Sequence, residues 1–188
     1  MKRILLLTIF LAQTSLAFAQ APAETSTVYF TRANSLGALI NFTYFDGEEA
    51  IGKFNGQGYF IYECEPGKHL FWARSENKSF VEADLEPGST YLIDVLPRMG
   101  GLKASVELVP VDVSDYKMKR IQKLVSRRDA KTFSAEDLAE IQEDMEEVIT
   151  RGMDRYEKKQ EKEKDIKQLP PEMTITKDDL VFVKKKKK

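Results

Sequence analysis

The chain has 188 residues, with 29 basic and 30 acidic side chains and one histidine, which give a formal net charge of −1 at pH 7. So balanced a charge lacks the positive excess typical of nucleic-acid-binding proteins, and we expect no nucleic-acid partner. The single cysteine excludes an internal disulfide, so the fold must be stabilised by burial of apolar side chains.

Residues 1–19 have the pattern of a secretory signal peptide. A basic start, Met1-Lys2-Arg3, precedes an apolar run over residues 4–12, and Ala17-Phe18-Ala19 is a small-x-small cleavage pattern. The apolar run is shorter than the roughly 20 residues of a membrane-spanning helix. We therefore expect an exported chain, periplasmic or extracellular and associated with the envelope. No transmembrane helix is expected in the mature chain, and no lipid anchor, because the only cysteine is Cys64.

Residues 26–110 predict an antiparallel β-sandwich of about eight short strands. Stretches rich in β-branched and aromatic residues alternate with turn dipeptides such as Asp46-Gly47 and Asn55-Gly56. Besides short segments between and after these turns, the predicted strands cover residues 26–31, 39–45, 59–63, 69–74, 80–85, 90–96 and 103–109. This spacing is typical of a sandwich or small barrel, and the fold class is mainly β with C-terminal helices.

Cys64 and His69 flank a Glu-Pro-Gly turn that recurs at residues 86–88, where Leu85 and Thr90 take the equivalent places. The turn therefore requires neither residue, and we expect a buried Cys64 and a His69 at the core edge. The alternative is a thiol-dependent hydrolase in which His69 activates Cys64 and Asp94 orients the ring. Zinc is disfavoured because its sites use three or four ligands. We predict no catalytic, cofactor-binding or metal residue.

Residues 114–167 predict a helical extension. Met118, Ile121 and Val125 recur at helical spacing on a basic stretch over 115–128, and Ser134 begins a second, acidic helix as its N-cap. Opposite charges predict an antiparallel helical hairpin, whereas two helices packing separately on the sandwich are an equal alternative. A third interpretation is an oligomeric scaffold in which the helices pair between chains. The charged run 154–167 is expected to be an exposed helix or disordered.

Residues 168–188 predict a proline-containing, lysine-rich tail. Leu169-Pro170-Pro171 ends any helix, and residues 173–176 and 180–183 are predicted as short edge strands. The chain finishes in five lysines: Lys184, Lys185, Lys186, Lys187 and Lys188. Such a run is either a solvated end or an electrostatic contact to an anionic membrane or polymer.

Turn landmarks in residues 26–110 carry a family resemblance. Asp46-Gly47, the run Asn55-Gly56-Gln57-Gly58-Tyr59-Phe60, Pro66-Gly67-Lys68-His69 and Leu85-Glu86-Pro87-Gly88-Ser89-Thr90-Tyr91 are its main elements. This region resembles the bacterial family catalogued as domain of unknown function 2846, and is more distantly similar to PEGA-type β-sandwich repeats. The resemblance implies an envelope protein and no catalytic residues. Members are commonly predicted to be envelope lipoproteins. This chain departs from them because it lacks a lipidation cysteine.

We expect an exported, non-enzymatic β-sandwich module with a binding or structural role in the bacterial cell envelope. Its expected partner is an envelope protein or polysaccharide. Adjacent aromatic pairs such as Phe71-Trp72 cannot both face inward, so one member lies on an outer face. Outer aromatics that line up would form a patch for sugar or protein, unless the helices cover them.

Overall fold

The computed structural model describes residues 24–100, 103–162 and 166–181. The predicted signal peptide and the five terminal lysines lie outside the described residues. Nine strands occur within them: β1 (Ser26–Arg32), β2 (Phe42–Asp46), β3 (Glu49–Phe54), β4 (Gly58–Cys64), β5 (Gly67–Arg74), β6 (Lys78–Leu85), β7 (Thr90–Gly100), β8 (Lys103–Pro110) and β9 (Lys167–Leu169). The mainly β class is confirmed.

The strands form two sheets that pack face to face. The first sheet has the order β4-β1-β7-β8, and the second has the order β3-β2-β5-β6-β9. Most neighbours are antiparallel, but β1 pairs with β7 in parallel, and β6 pairs with β9 in parallel. Both sheets are therefore mixed, and the predicted β-sandwich includes two parallel pairs. The chain crosses to the second sheet for β2 and β3, returns to the first for β4, and crosses again for β5 and β6. It returns once more at β7, which runs alongside β1 in the same direction.

The main core lies between the two sheets and is rich in aromatic rings. Phe30 of β1 stacks on Phe60 of β4, with ring centroids 4.8 Å apart, and meets the edge of Phe71 of β5 at 5.4 Å. Tyr44 of β2 closes the cluster against Phe60 at 5.1 Å. Alternate residues of each strand point into this layer, as the period of two along a strand requires.

Helices α1 (Met118–Val125) and α2 (Ala135–Gln160) cover the outer faces of opposite sheets. The buried side chains of α1 pack with Tyr29, Tyr59 and Leu92 on the first sheet, as one cluster. Those of α2 pack with Phe45, Trp72 and Phe80 on the second sheet. The predicted helical hairpin was wrong, and the alternative of separate packing is confirmed.

The connection between the helices explains why they do not pair. It runs along the edge of the first sheet, where the Lys131 amide donates to the Tyr59 carbonyl oxygen at 2.8 Å. Phe133 then packs edge-on against Phe60 at 5.6 Å between centroids. Because each outer face exposes aromatic side chains, each requires its own apolar cover. One amphipathic helix per face satisfies both.

Helix α2 begins where the sequence predicts and extends further than its apolar stripe. The Ser134 hydroxyl accepts from the Asp137 amide at 3.1 Å, and the Asp137 carboxylate accepts from the Ser134 amide at 2.8 Å. This capping box satisfies two otherwise unpaired amides. The helix then continues through residues 154–160 of the charged run, with Gly152 and Ile149 buried against the sheet.

The segment 166–181 packs against both sheets instead of forming the predicted edge strands. Lys167–Leu169 adds β9 to the second sheet, with Leu169 buried. Ile175 bridges to Thr90 of β7, and Asp178–Leu180 is a 3₁₀ turn. The strand predicted at 173–176 is thus reduced to one bridge. The strand predicted at 180–183 is absent up to residue 181, and its last two residues lie outside the described part of the chain.

Candidate functional site

Cys64 and His69 lie close together, as the alternative enzyme interpretation requires, but the third residue is Asp46. The His69 Nδ1 lies 2.6 Å from the Asp46 Oδ2, and Nε2 lies 2.8 Å from the Glu65 carbonyl oxygen. The Tyr62 hydroxyl donates to the same Asp46 oxygen at 3.3 Å. This set connects the ends of β2, β4 and β5.

The contacts of His69 favour a protonated ring. The hydrogen bond to Asp46 raises the pKa of His69 most, followed by the contact with Cys64 and, against burial, the Glu65 carbonyl, to about 10. At neutral pH both ring nitrogens therefore carry protons and donate to oxygen acceptors. A ring in this state cannot accept the proton of a nucleophile, which is the task of a general base.

The Cys64 side chain faces the main core. It is 9% exposed, and its Sγ lies 3.9 Å from the Ser26 carbonyl oxygen, opposite it in the β1–β4 pair. His69 stacks on Phe71 with centroids 5.4 Å apart and parallel rings. The predicted facing of both residues is thus confirmed: Cys64 is buried and His69 lies at the core edge.

Asp94, the residue proposed to orient the histidine, lies on the outer face of the first sheet. Its carboxylate is fully buried and accepts from the Arg120 Nη2 at 2.8 Å. The Thr31 hydroxyl lies 3.5 Å from its other oxygen. Burial raises the pKa of Asp94, while Arg120 opposes the increase. Asp94 therefore connects α1 to the first sheet, and the combination of Cys64, His69 and Asp94 does not form.

A buried arginine, Arg32, closes one end of the sandwich. Its Nη1 donates to the Ile40 carbonyl oxygen at 2.9 Å and its Nη2 to the Gly37 carbonyl oxygen at 2.7 Å. The guanidinium also lies over the Phe42 ring at 4.1 Å. Gly37 has a φ of 62°, a backbone conformation that glycine tolerates. The role of Arg32 is to hold the loop after β1.

The outer aromatic side chains do not form an open patch. Tyr29 and Tyr59 stack with centroids 6.2 Å apart in the cluster under α1. Phe45 and Trp72 stack at 3.9 Å under α2, and the Trp72 indole donates to the Gly47 carbonyl oxygen at 2.8 Å. The predicted aromatic binding patch was therefore wrong, because the helices cover it.

An open groove of about 610 Å³ lies where α2 leaves the second sheet uncovered. We call it the Tyr156 groove. Its floor comes from β5 and β6, one wall from the end of α2, and the other wall from β9 and the two prolines that follow it. The side chains that matter most are Lys68, Glu82, Tyr156, Gln160, Gln168 and Pro170.

Glu82 is the central polar group of this groove. Its Oε1 accepts from the Tyr156 hydroxyl at 2.7 Å and from the Gln160 amide at 3.0 Å. Its Oε2 accepts from the Gln168 amide at 2.7 Å. These bonds, with Gln168 contributing most, lower the pKa of Glu82, so it stays ionised. Burial, together with the bond to Glu82, raises the pKa of Tyr156 to about 12.

The groove combines polar side chains with an aromatic ring. Its side chains offer two amides, carboxylates, an ammonium group and an aromatic ring. Cys64 is not among its lining residues, and His69, which is, has its ring nitrogens engaged with Asp46 and Glu65. Its volume falls within the about 300–1,000 Å³ of ordinary ligand sites.

The described residues contain no cluster of three or more His, Cys, Asp or Glu that could hold a metal ion. In that same part of the chain, no helix is long and apolar enough to cross a membrane. Lys184–188, the predicted anionic-surface contact, lies beyond the last described residue. No protein-family model matches the chain, and no curated protein sequence is significantly similar to it.

Proposed function

We propose that the protein is an exported, non-enzymatic module of the bacterial cell envelope that binds polysaccharide in the Tyr156 groove. The observation that carries the proposal is the groove itself. An ionised carboxylate at its centre holds Tyr156, Gln160 and Gln168 in place before any ligand arrives. Preorganised polar groups reduce the entropy lost on binding.

The chemistry of the groove favours a hydroxyl-rich ligand over a protein surface. Sugar hydroxyls both donate and accept, and amide side chains such as Gln160 and Gln168 do the same. The Tyr156 ring and Pro170 supply apolar surface beside these groups. A protein partner would instead need a broad interface of about 800 Å² on each side. A polysaccharide segment is the better match.

A binding role is supported over catalysis by the state of the single Cys and His pair. The Cys64 thiol is directed into the core, and His69 is held as a cation by Asp46. Catalysis by a thiol needs an accessible, activated sulfur. The envelope assignment is supported by the signal-peptide pattern of residues 1–19 and by the resemblance of residues 26–110 to bacterial envelope proteins.

Co-sedimentation with purified envelope polysaccharide tests this function. The mature full-length chain should pellet with the polymer, and Gln160→Ala combined with Gln168→Ala should weaken binding by about tenfold, the loss expected for one or two hydrogen bonds. Gln142→Ala is the matched control, because this amide lies on the same helix but bonds to Glu48 and Ala50 outside the groove. Equal binding by all three proteins would refute polysaccharide binding in the Tyr156 groove.

A second candidate function comes from the five terminal lysines. We propose that they contact an anionic membrane or polymer, with a contribution of about 1 kcal/mol per lysine near an anionic surface. Full-length protein should bind anionic vesicles and be released by high salt, whereas a version ending at Val183 should not bind. If both versions behave alike, the lysines are only a solvated end.

A further inference from the structure

Four basic side chains converge on a small cavity at the β5–β6 turn, away from the Tyr156 groove. Arg74 and Lys78 come from the two strands, and Arg151 and Arg155 come from α2. We call this the basic cavity. It has a volume of about 200 Å³, smaller than the about 300 Å³ at which ordinary organic ligand sites begin.

The positions of these residues bring like charges together twice. Arg74 and Lys78 are directly opposite each other in the β5–β6 pair. Arg151 and Arg155 are four residues apart, so they lie on the same face of α2. Both arrangements are repulsive in the absence of a counter-charge. Solubility alone does not require two pairs of basic side chains to lie at the same cavity.

The nearby acidic groups do not balance this charge. Glu76 lines the cavity, and the Glu147 carboxylate lies 3.5 Å from the Arg151 guanidinium in a pair that is 87% and 63% exposed, respectively. Arg74 directs its Nη1 to a thioether, the Met145 Sδ, at 3.7 Å. Among the described residues that line the cavity, four are thus basic and one, Glu76, is acidic, while Glu147 beside Arg151 lies largely in solvent.

Lys78 shows the electrostatic consequence. Burial lowers the pKa of its ammonium group first, and repulsion from Arg155, Arg151 and Arg74 lowers it further. The three neighbouring side chains that lower this pKa are thus the three arginines of the basic cavity. An anion placed between the four groups would reverse that effect.

The backbone around the cavity is fixed. The Asn77 side chain donates to the Val106 carbonyl oxygen at 2.9 Å and accepts from the Val106 amide at 2.7 Å. The Ser79 hydroxyl accepts from the Leu108 amide at 3.0 Å. These bonds attach the β5–β6 turn to β8. The strand side of the cavity is therefore positioned before any ligand arrives.

We propose that the basic cavity is a binding site for a single tetrahedral oxyanion of the phosphate class. Arginine presents paired donors that match phosphate oxygens, and a lysine adds a compact charge. The cavity volume suits one such group rather than a larger molecule. The same chemistry is offered by inorganic phosphate and by a phosphate on a lipid headgroup. The site is independent of the groove and of the function proposed for it.

The test is a titration of the mature full-length chain with inorganic phosphate at low ionic strength, followed through the arginine Nε–H signals by NMR. Phosphate should shift the signals of Arg74, Arg151 and Arg155. Arg151→Gln combined with Arg155→Gln should raise the apparent Kd at least about tenfold. Lys158→Gln combined with Lys162→Gln is the matched control, since it removes the same charge at the same spacing and should leave the Kd unchanged.

Thermal unfolding separates binding from folding. Without phosphate, the arginine variant should unfold at the same temperature as the wild type or higher, because repulsion is relieved. With phosphate, only the wild type and the lysine control should gain stability. No phosphate-dependent shift at any arginine would overturn the proposal, and so would an equal loss of affinity in the control.

Vesicles identify the source of the phosphate group. Binding to vesicles of phosphatidylcholine with phosphatidic acid that is lost in the arginine variant of a chain ending at Val183 would support a lipid headgroup. If that chain binds inorganic phosphate but not these vesicles, the proposal stands with a soluble phosphate as the ligand. Removing the terminal lysines keeps their contribution out of the comparison.

Discussion

Replacing Gly152 by alanine tests whether α2 lies directly against the second sheet. A Cβ at this position would be 2.6 Å from the Trp72 Cη2 and 2.9 Å from its Cζ2. Real Cβ contacts are longer, so either the helix or the indole must move. Trp72 is poorly able to do so, because it stacks on Phe45 at 3.9 Å and its indole donates to the Gly47 carbonyl oxygen at 2.8 Å.

Two opposing effects decide the outcome. Alanine is favoured over glycine in a helix interior by about 1 kcal/mol. Overpacking a well-packed contact costs about 1–3 kcal/mol. Because the collision involves a fully buried ring, we expect overpacking to exceed the helix propensity. The free energy of unfolding should then fall by about 1 kcal/mol, which lowers the midpoint of thermal unfolding by roughly 2–4 °C.

Thermal and urea unfolding, followed by the emission of the only tryptophan, measure this effect. The control is Ala139→Gly at an exposed position of α2, which should lose about 1 kcal/mol through helix propensity alone. If Gly152→Ala instead gains as much stability as the control loses, the collision does not exist. The packing of α2 on Trp72 would then be refuted.

Three further predictions concern the polar groups. The pKa of His69 is about 10 in the folded chain, against 6.5 ordinarily. Protonated His69 therefore contributes its full stabilisation of the fold below pH 6.5, and this contribution is lost as the pH rises through 10. Asp46→Asn should flatten this dependence in urea unfolding and lower the His69 pKa in an NMR titration, and an unchanged pKa would exclude the ion pair. Cys64 should react with a thiol reagent only after denaturant is added, whereas rapid labelling of the native chain would reopen the enzyme interpretation. Arg120→Ala should lower the free energy of unfolding by about 2–3 kcal/mol at pH 7. This loss is smaller than that for a fully buried ion pair, because Arg120 is partly exposed. It should shrink in acid as Asp94 becomes protonated. An equal loss at all pH values would contradict a charged Asp94.

Local signals in the sequence predicted the strands well. Period-two alternation and turn residues located β4, β5 and β6 within a few residues of their observed ends. The two Glu-Pro-Gly turns do have positive φ at Gly67 and Gly88, of 121° and 69°. Only residues near in sequence determine these features. Parallel pairing of β1 with β7 depends on crossings between sheets, which alternation does not encode.

The partners of the helices were not predictable for a related reason. An amphipathic stripe indicates which side of a helix is buried, but not against which surface. The opposite charges of α1 and α2 favoured mutual pairing, yet the aromatic outer faces required separate covers. Adjacent aromatics such as Phe71-Trp72 did contain that signal, because one of each pair had to face outward.

The candidate sites depend on contacts between residues far apart in the chain. Glu82 meets Tyr156, Gln160 and Gln168 across more than seventy residues. No spacing pattern in the sequence relates them. Asp46 was likewise missed as the partner of His69, because the carboxylate contributes through the end of a different strand. The pairing of Arg74 with Lys78, by contrast, can be inferred from the sequence, because these two residues flank the short turn between β5 and β6.

Fractionation of the native host would determine whether the protein is exported to the cell envelope. The protein should be recovered with the cell envelope, and its N-terminal sequence should begin after Ala19. The polysaccharide used for co-sedimentation would then come from the same compartment as the protein. Recovery from the cytoplasm with Met1 and the following residues intact would contradict export, and with it the proposed role in the envelope.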